Sequence, residues 1–144
     1  MLLLYQLGQM LERVLGRVRF GLLYAAGLLG GSLGVVIMDT NSITGGASGA
    51  VFGLMAAAAV GLHRQGVNVF STGIGTTLLL NLFITFAIPG ISIGGHLGGL
   101  AGGALVALLL FELPERARLP QAAGALLAGV IGAAAIVGSV VVVS

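Results

Sequence analysis

The sequence predicts an all-α, polytopic membrane protein in which apolar helices pack as a bundle. Of its 144 residues, 58% are hydrophobic and only 7% are charged, whereas soluble domains carry about a quarter charged residues. Its 26 glycines are typical of membrane helices that approach one another through small residues. The apolar runs are unbroken rather than alternating, which argues against a transmembrane β-barrel.

Composition also limits the chemistry. The chain has no cysteine, which excludes disulfides, thiol catalysis and cysteine-bound metal within it. Its two histidines, His63 and His96, lie 33 positions apart, and no HExxH motif occurs, so a zinc membrane protease is unsupported. The single aspartate, Asp39, cannot supply the carboxylate pair of an aspartyl protease. We therefore expect no metal, no cofactor and, at a net charge of +2, no nucleic-acid partner.

The first apolar run, residues 1–11, is too short to cross a membrane. As a helix it covers about 16 Å, half of a ~30 Å hydrocarbon core, so it is either the tail of a preceding span, which we favour, or a short interfacial helix. Five later runs are interpreted as full spans: 20–38, 48–62, 69–88, 93–111 and 122–143. The sequence thus predicts a single membrane domain over 1–144, with a core at 1–111 and an extra C-terminal helix at 122–143.

The arginines predict the orientation of this bundle. All six fall in alternate loops, so one topology brings every one of them to the same side: Arg13, Arg17, Arg19, Arg64, Arg116 and Arg118. By the positive-inside rule that side is cytoplasmic. Asp39 and Pro89 then lie in loops toward the opposite face. We expect a multi-pass integral membrane protein whose lipid bilayer is its immediate partner.

Ser48 and His96 are predicted to lie at the same depth. Ser48 follows the polar segment 39–44 and begins a helix, where free N–H groups and the positive end of the helix dipole favour negative charge. Arg64 is sixteen positions after Ser48, and Glu112 is sixteen positions after His96. At 1.5 Å per residue both side chains stand about 24 Å from the cytoplasmic boundary, on helices that run in the same direction.

Glycine spacing predicts that these two helices touch. Glycines recur at every fourth position in three rows: Gly45, Gly49 and Gly53; Gly94, Gly98 and Gly102; Gly95, Gly99 and Gly103. Such rows let helix backbones approach closely in lipid, which makes a hydrogen bond from Ser48 to His96 feasible. A buried histidine is neutral, as a general base must be. Taken alone, however, the serine motif is also common in packed helices, and the histidine can simply bond to a neighbouring helix.

Three stretches carry a resemblance to a known family. Residues 46–53, GASGAVFG, resemble the nucleophile motif of the rhomboid intramembrane serine proteases, and 95–102, GHLGGLAG, resemble their histidine motif, with Gly95 where alanine is common. The turn containing Leu11-Glu12, Gly16, Arg19-Phe20 and Tyr24 resembles the turn between that family's second and third helices. The match runs over about 1–110 in the family's order.

The resemblance implies a six-helix core that cleaves transmembrane segments of membrane proteins with a Ser–His dyad. It assigns catalysis to Ser48 and His96, and the oxyanion site and substrate pocket to Ser48, Gly46, Gly49 and Phe52. For Phe52, plain packing is an equally good interpretation. Residues 69–92 would form a mobile gate and cap, and the site would open to the non-cytoplasmic side of a membrane of bacterial type.

The same resemblance leaves activity open. The family carries an asparagine just before the position of Met1 and a histidine upstream of it, both donating to the oxyanion. We therefore interpret the chain as a fragment, or as begun at an internal methionine. The alternative function is a catalytically inactive rhomboid-like protein that binds transmembrane segments. The predicted spans contain no Asp, Glu, Lys or Arg, so an ion-coupled transporter is poorly supported. The sequence does not indicate an oligomeric state or a particular substrate.

A few other polar residues attract structural interpretations. Glu12 is expected to pair with Arg19 and so to tie down the first cytoplasmic turn. Asn81 and Thr85 lie four residues apart in an apolar run, and we expect both to hydrogen-bond to a neighbouring helix. Asp39 is interpreted as a solvated loop acid rather than a third catalytic residue.

Overall fold

The computed structural model describes residues 2–38 and 47–112, together with 126, 129, 130, 132 and 133. Within this part of the chain the regular structure is entirely helical, which confirms the all-α prediction. Five helices follow one another: α1 (Leu2–Leu15), α2 (Arg17–Met38), α3 (Ala47–Arg64), α4 (Ile74–Ala87) and α5 (Ile93–Phe111).

Three of the predicted spans agree with the structure. Helices α2, α3 and α5 are long and apolar enough to cross a membrane, and each lies within a few residues of its predicted bounds. Helix α1 continues four residues beyond the predicted end of the first apolar run. The helix predicted at 122–143 lies outside the described residues except for five positions.

Helix α4 is shorter than the predicted span 69–88. The chain before it is folded into turns, in which the Asn68 side chain accepts from the Phe70 N–H at 2.9 Å and the Asn68 carbonyl accepts from the Ser71 N–H at 3.0 Å. Gly73 then adopts φ 79°, a left-handed conformation suited to glycine, and the helix begins after it. Its 14 residues cover about 21 Å, less than a ~30 Å hydrocarbon core.

Helices α2, α3 and α5 pack backbone against backbone. A methyl group added at Gly99 of α5 would lie 2.6 Å from the Gly49 Cα of α3, and one added at Gly53 would lie 2.7 Å from the Gly27 Cα of α2. On the other side of α5, a methyl group at Gly98 would lie 3.1 Å from the Gly34 Cα of α2. The two glycine rows of α5 therefore serve different neighbours, and α2 runs antiparallel to both α3 and α5.

Large side chains complete the core around this glycine contact. Leu23 and Leu54 are fully buried, and α1 adds Leu7 and Leu11. By contrast, the buried residues of α4 are Gly75 and Thr85. The large apolar side chains of α4 divide between the two sides: Ile74, Leu78 and Leu82 are partly buried against the core, whereas Leu79, Leu80, Phe83 and Phe86 are exposed and available to lipid.

The turn between α1 and α2 depends on Gly16, which has φ 79°. Beside it the Arg17 Nε lies 3.5 Å from a Glu12 carboxylate oxygen; the expected pairing of Glu12 with Arg19 stays a prediction. Because Arg17 is 93% exposed, this ion pair contributes little stability.

At the same end of the bundle, the Arg64 guanidinium lies over the Phe111 ring, 5.9 Å from its centroid.

Helix α5 begins at a capping serine. The Ser92 Oγ accepts a hydrogen bond from the Gly95 N–H at 2.9 Å. This satisfies one of the N–H groups that a helix start leaves without a partner. The cap thus determines where the helix that carries His96 starts.

We predict that Gly99→Ala strongly destabilises the bundle. Its methyl group would meet Gly49 backbone atoms at 2.6–2.7 Å, and relieving such a clash typically costs about 1–3 kcal/mol or more. Gly21→Ala in α2 is the control, since nothing lies within 4 Å of its new methyl group and alanine is the better helix former. In reversible unfolding in detergent, the free energy of unfolding of Gly99→Ala should be lower than that of wild type, and that of Gly21→Ala should be equal to it or higher. Equal stabilities would contradict the packing described.

Ser92→Ala should lower the free energy of unfolding by about 1 kcal/mol, the usual cost of losing a helix cap. The control is Ser32→Ala in α2, where the exposed hydroxyl only donates back to the Leu28 carbonyl at 3.0 Å. Such back-bonding does not stabilise a helix. The same unfolding assay compares the two, and a Ser32→Ala loss as large as that of Ser92→Ala would contradict the capping role.

Candidate functional site

Ser48 is the second residue of α3 and is exposed. Its own N–H lies in the first helical turn, where backbone N–H groups have no partner within the helix. The next residue, Gly49, is buried against the neighbouring helices. Gly46, which the sequence assigned to the same pocket, lies outside the described residues.

His96 lies in the first turn of α5 and is half-buried. Its ring stacks on Phe52 of α3, with the ring centroids 4.3 Å apart and the planes 23° from parallel. Its Nδ1 lies 2.7 Å from the Thr85 Oγ1 of α4. Three helices thus meet at one imidazole.

The register of α3 against α5 follows from their glycines. A methyl group at Gly49 would lie 3.1 Å from the Gly95 carbonyl oxygen, and one at Gly99 would lie 2.6 Å from the Gly49 Cα. Gly49 therefore lies opposite the middle of the interval from Gly95 to Gly99. One residue earlier on both helices, the backbones of Ser48 and His96 lie at the same level.

Phe52 is buried and does not form the wall of an open pocket. It is only 3% exposed, one turn after Ser48 on the same helix, and its ring faces the imidazole. Stacked aromatic pairs of this kind contribute about 0.5–1.5 kcal/mol beyond the burial of their surface. Phe52 is therefore in a position to hold the orientation of the His96 ring.

The contact between Thr85 and His96 was predicted only in part from the sequence. The expectation that Thr85 bonds to another helix is confirmed, but no spacing rule pointed to His96 as the partner. Its companion Asn81 differs from the expectation, since it donates to the Thr77 carbonyl of its own helix at 2.8 Å. The sequence feature that could have indicated this contact is the pair of polar residues, Asn81 and Thr85, in an otherwise apolar run.

The site has the elements of acid–base chemistry without metal. Across the described residues, no three His, Cys, Asp or Glu side chains come together as a metal site. The structure shows an exposed hydroxyl at the N-terminus of α3, and an imidazole held on one face by an aromatic ring and on one edge by a hydroxyl, with no hydrogen bond between Ser48 and His96 among the described residues. A hydroxyl and an imidazole are the groups needed for nucleophilic catalysis with a general base.

Comparison with known proteins gives concordant matches. The model of the Rhomboid domain matches residues 1–113. The chain is 34% identical over 112 residues to the rhomboid protease GluP of Bacillus subtilis, covering 76% of this chain and 22% of that protein. It is 34% identical over 110 residues to the putative rhomboid protease YdcA of the same organism, covering 74% and 55%.

A plant protein is similar to about the same degree. RHOMBOID-like protein 4 of Arabidopsis thaliana is 33% identical over 131 residues, which cover 86% of this chain and 32% of that protein. The chain therefore spans between about a fifth and just over half of the length of these relatives. No solved structure matches it. A domain match over more than three quarters of the chain, joined to apolar helices long enough to span a bilayer, establishes that this integral membrane protein belongs to the rhomboid family.

Proposed function

We propose that this chain carries the catalytic core of an intramembrane serine endopeptidase, in which Ser48 is the nucleophile and His96 the general base. The observation that supports it most is the register of α3 on α5. The Gly49 backbone contacts Gly95 and Gly99, so the two side chains leave neighbouring helices at one level. Membership of a family that includes proteins named rhomboid protease supports the same function.

In the proposed reaction, the Ser48 oxygen forms a bond to the scissile carbonyl carbon while its proton moves to the His96 Nε2. The imidazolium then gives this proton to the leaving amine as the carbon–nitrogen bond breaks, which leaves an acyl ester on Ser48. Water, deprotonated by His96, releases the second product and restores the serine. The negative oxygen of each tetrahedral intermediate would accept from N–H groups at the start of α3, including that of Ser48.

The remaining assigned residues support these two. Gly49 has no side chain, which permits the contact with α5 that brings the helices together. Phe52 would hold the plane of the imidazole, and Gly46 would allow substrate to approach the oxyanion site. No cofactor is required by this chemistry.

The proposed substrates are transmembrane segments of other membrane proteins. The site would face the non-cytoplasmic side, opposite the end of the bundle where Arg64 lies over Phe111 and where Arg13 and Arg17 also lie. The proposed location is a bacterial cell membrane; relatives occur both in Bacillus subtilis and in Arabidopsis thaliana.

A second candidate is a rhomboid-like protein that binds transmembrane segments without cleaving them. It is favoured by the relatives named RHOMBOID-like proteins.

Labelling with a fluorophosphonate probe tests the proposal, because the probe bonds covalently to an activated serine. The experiment uses membranes carrying the chain, and in parallel the product of its whole reading frame with any residues encoded before Met1. We expect labelling that Ser48→Ala abolishes and that His96→Ala reduces at least ~100-fold, the lower end of what a general base contributes. Ser32→Ala is the control and should label like wild type.

Absence of labelling in a whole-frame protein that folds and binds a transmembrane peptide would contradict the protease proposal and favour the binding protein. Labelling that persists in Ser48→Ala would assign the nucleophile to another serine.

Phe52→Leu should slow labelling by roughly 3- to 10-fold, since losing an aromatic stack of about 0.5–1.5 kcal/mol frees the imidazole from its productive orientation. Phe111→Leu makes the same change at the opposite end of the bundle, beneath Arg64, and should leave the labelling rate unchanged. The rate constant at fixed probe concentration is the measurement. A Phe52→Leu rate equal to wild type would mean that Phe52 only fills space.

A further inference from the structure

Thr85 is the buried polar side chain of the described core. It is 2% exposed, although most of α4 around it faces outward. Its Oγ1 makes two short contacts, one of 2.7 Å to the Asn81 carbonyl oxygen of its own helix and one of 2.7 Å to the His96 Nδ1 of α5. A hydroxyl has a single hydrogen to share between them.

The position of that hydrogen decides the protonation of the imidazole. The Asn81 carbonyl oxygen only accepts, so a 2.7 Å oxygen–oxygen contact requires the Thr85 hydrogen to lie between the two oxygens. The hydroxyl then has no hydrogen left for His96 and can only accept. The 2.7 Å contact to Nδ1 is a hydrogen bond only if Nδ1 carries a hydrogen.

We propose that Thr85 is a positioning residue that holds neutral His96 in the tautomer with its hydrogen on Nδ1, which leaves the Nε2 lone pair free for the Ser48 hydroxyl. This proposal rests on the proposed function for its consequence, although the tautomer itself can be measured independently. The Asn81 carbonyl takes part by engaging the threonine hydrogen.

The same hydrogen bond serves both states of the base. When Nε2 takes a proton, Nδ1 keeps its hydrogen and continues to donate to the Thr85 oxygen, so the threonine does not rotate during the reaction. Phe52 restrains the plane of the ring from α3, and Thr85 restrains its rotation within that plane from α4. Together they leave Nε2 as the nitrogen free to act.

Nitrogen-15 NMR of the whole protein, labelled at histidine, tests this directly, because protonated and unprotonated ring nitrogens resonate far apart. The chain has two histidines, so His63→Gln assigns the signals. In wild type at a pH where the ring is neutral, we expect His96 to show a protonated Nδ1 and an unprotonated Nε2. A predominant Nε2–H signal in wild type would overturn the proposal without any variant.

Three variants of α4 extend the test. Thr85→Val keeps the shape and removes the hydroxyl, so we expect a mixture of tautomers and a labelling rate at Ser48 reduced roughly 10- to 100-fold, part of the contribution of a general base. Thr85→Ser keeps a hydroxyl and should restore the Nδ1–H signal and most of the rate. Thr76→Val removes an exposed hydroxyl and should change neither.

The outcomes separate this proposal from the proposed function. Unchanged tautomer populations in Thr85→Val would overturn the role of Thr85, whatever happens to labelling. If Thr85→Val shifts the tautomer while no form of the protein labels, the role of Thr85 stands and the protease function fails. Should Thr85→Val not fold, Thr85→Ala serves for the same comparison, and the wild-type spectrum remains decisive.

Discussion

Contact between glycine backbones is the constraint on which this structure depends. Without a hydrophobic driving force between helices in lipid, association comes from close packing and from hydrogen bonds between helices. Gly27, Gly49, Gly53, Gly99 and Gly103 provide the packing by bringing α2, α3 and α5 to van der Waals separation of their main chains. A larger separation would move Ser48 away from His96, the two residues that are proposed to share a proton.

Among the described residues, a side-chain hydrogen bond between helices forms at the imidazole of His96. Helix α3 supplies an aromatic face, α5 carries the ring, and α4 supplies a hydroxyl. Among the described residues no fully buried side-chain nitrogen or oxygen lacks a hydrogen-bond partner, as burial in an apolar environment requires. Glycine packing sets the distance between the helices, and these side chains set the orientation of one ring within it.

How much of this was predictable depends on the kind of signal. The apolar runs predicted α2, α3 and α5, and glycines at every fourth position predicted the helix faces on which Gly49 and Gly99 meet. Both signals are patterns that repeat along the chain. The predicted span 69–88 was longer than helix α4. Turns that involve Asn68 and Gly73 precede the helix, and a hydropathy pattern does not reveal such turns. The hydrogen bond between Thr85 and His96 joins two helices across a turn. It depends on the angle between the two helices, which the sequence of neither helix determines by itself.

Helix α4 has few attachments to the rest of the bundle, and its bond to the imidazole is one of them. Helix position and ring chemistry are therefore thermodynamically linked, and such coupling acts equally in both directions. A molecule that strengthens the Nδ1–H bond would therefore favour the position of α4 seen here. Conversely, moving α4 toward the lipid would break this bond and, in the proposed mechanism, would weaken His96 as a base.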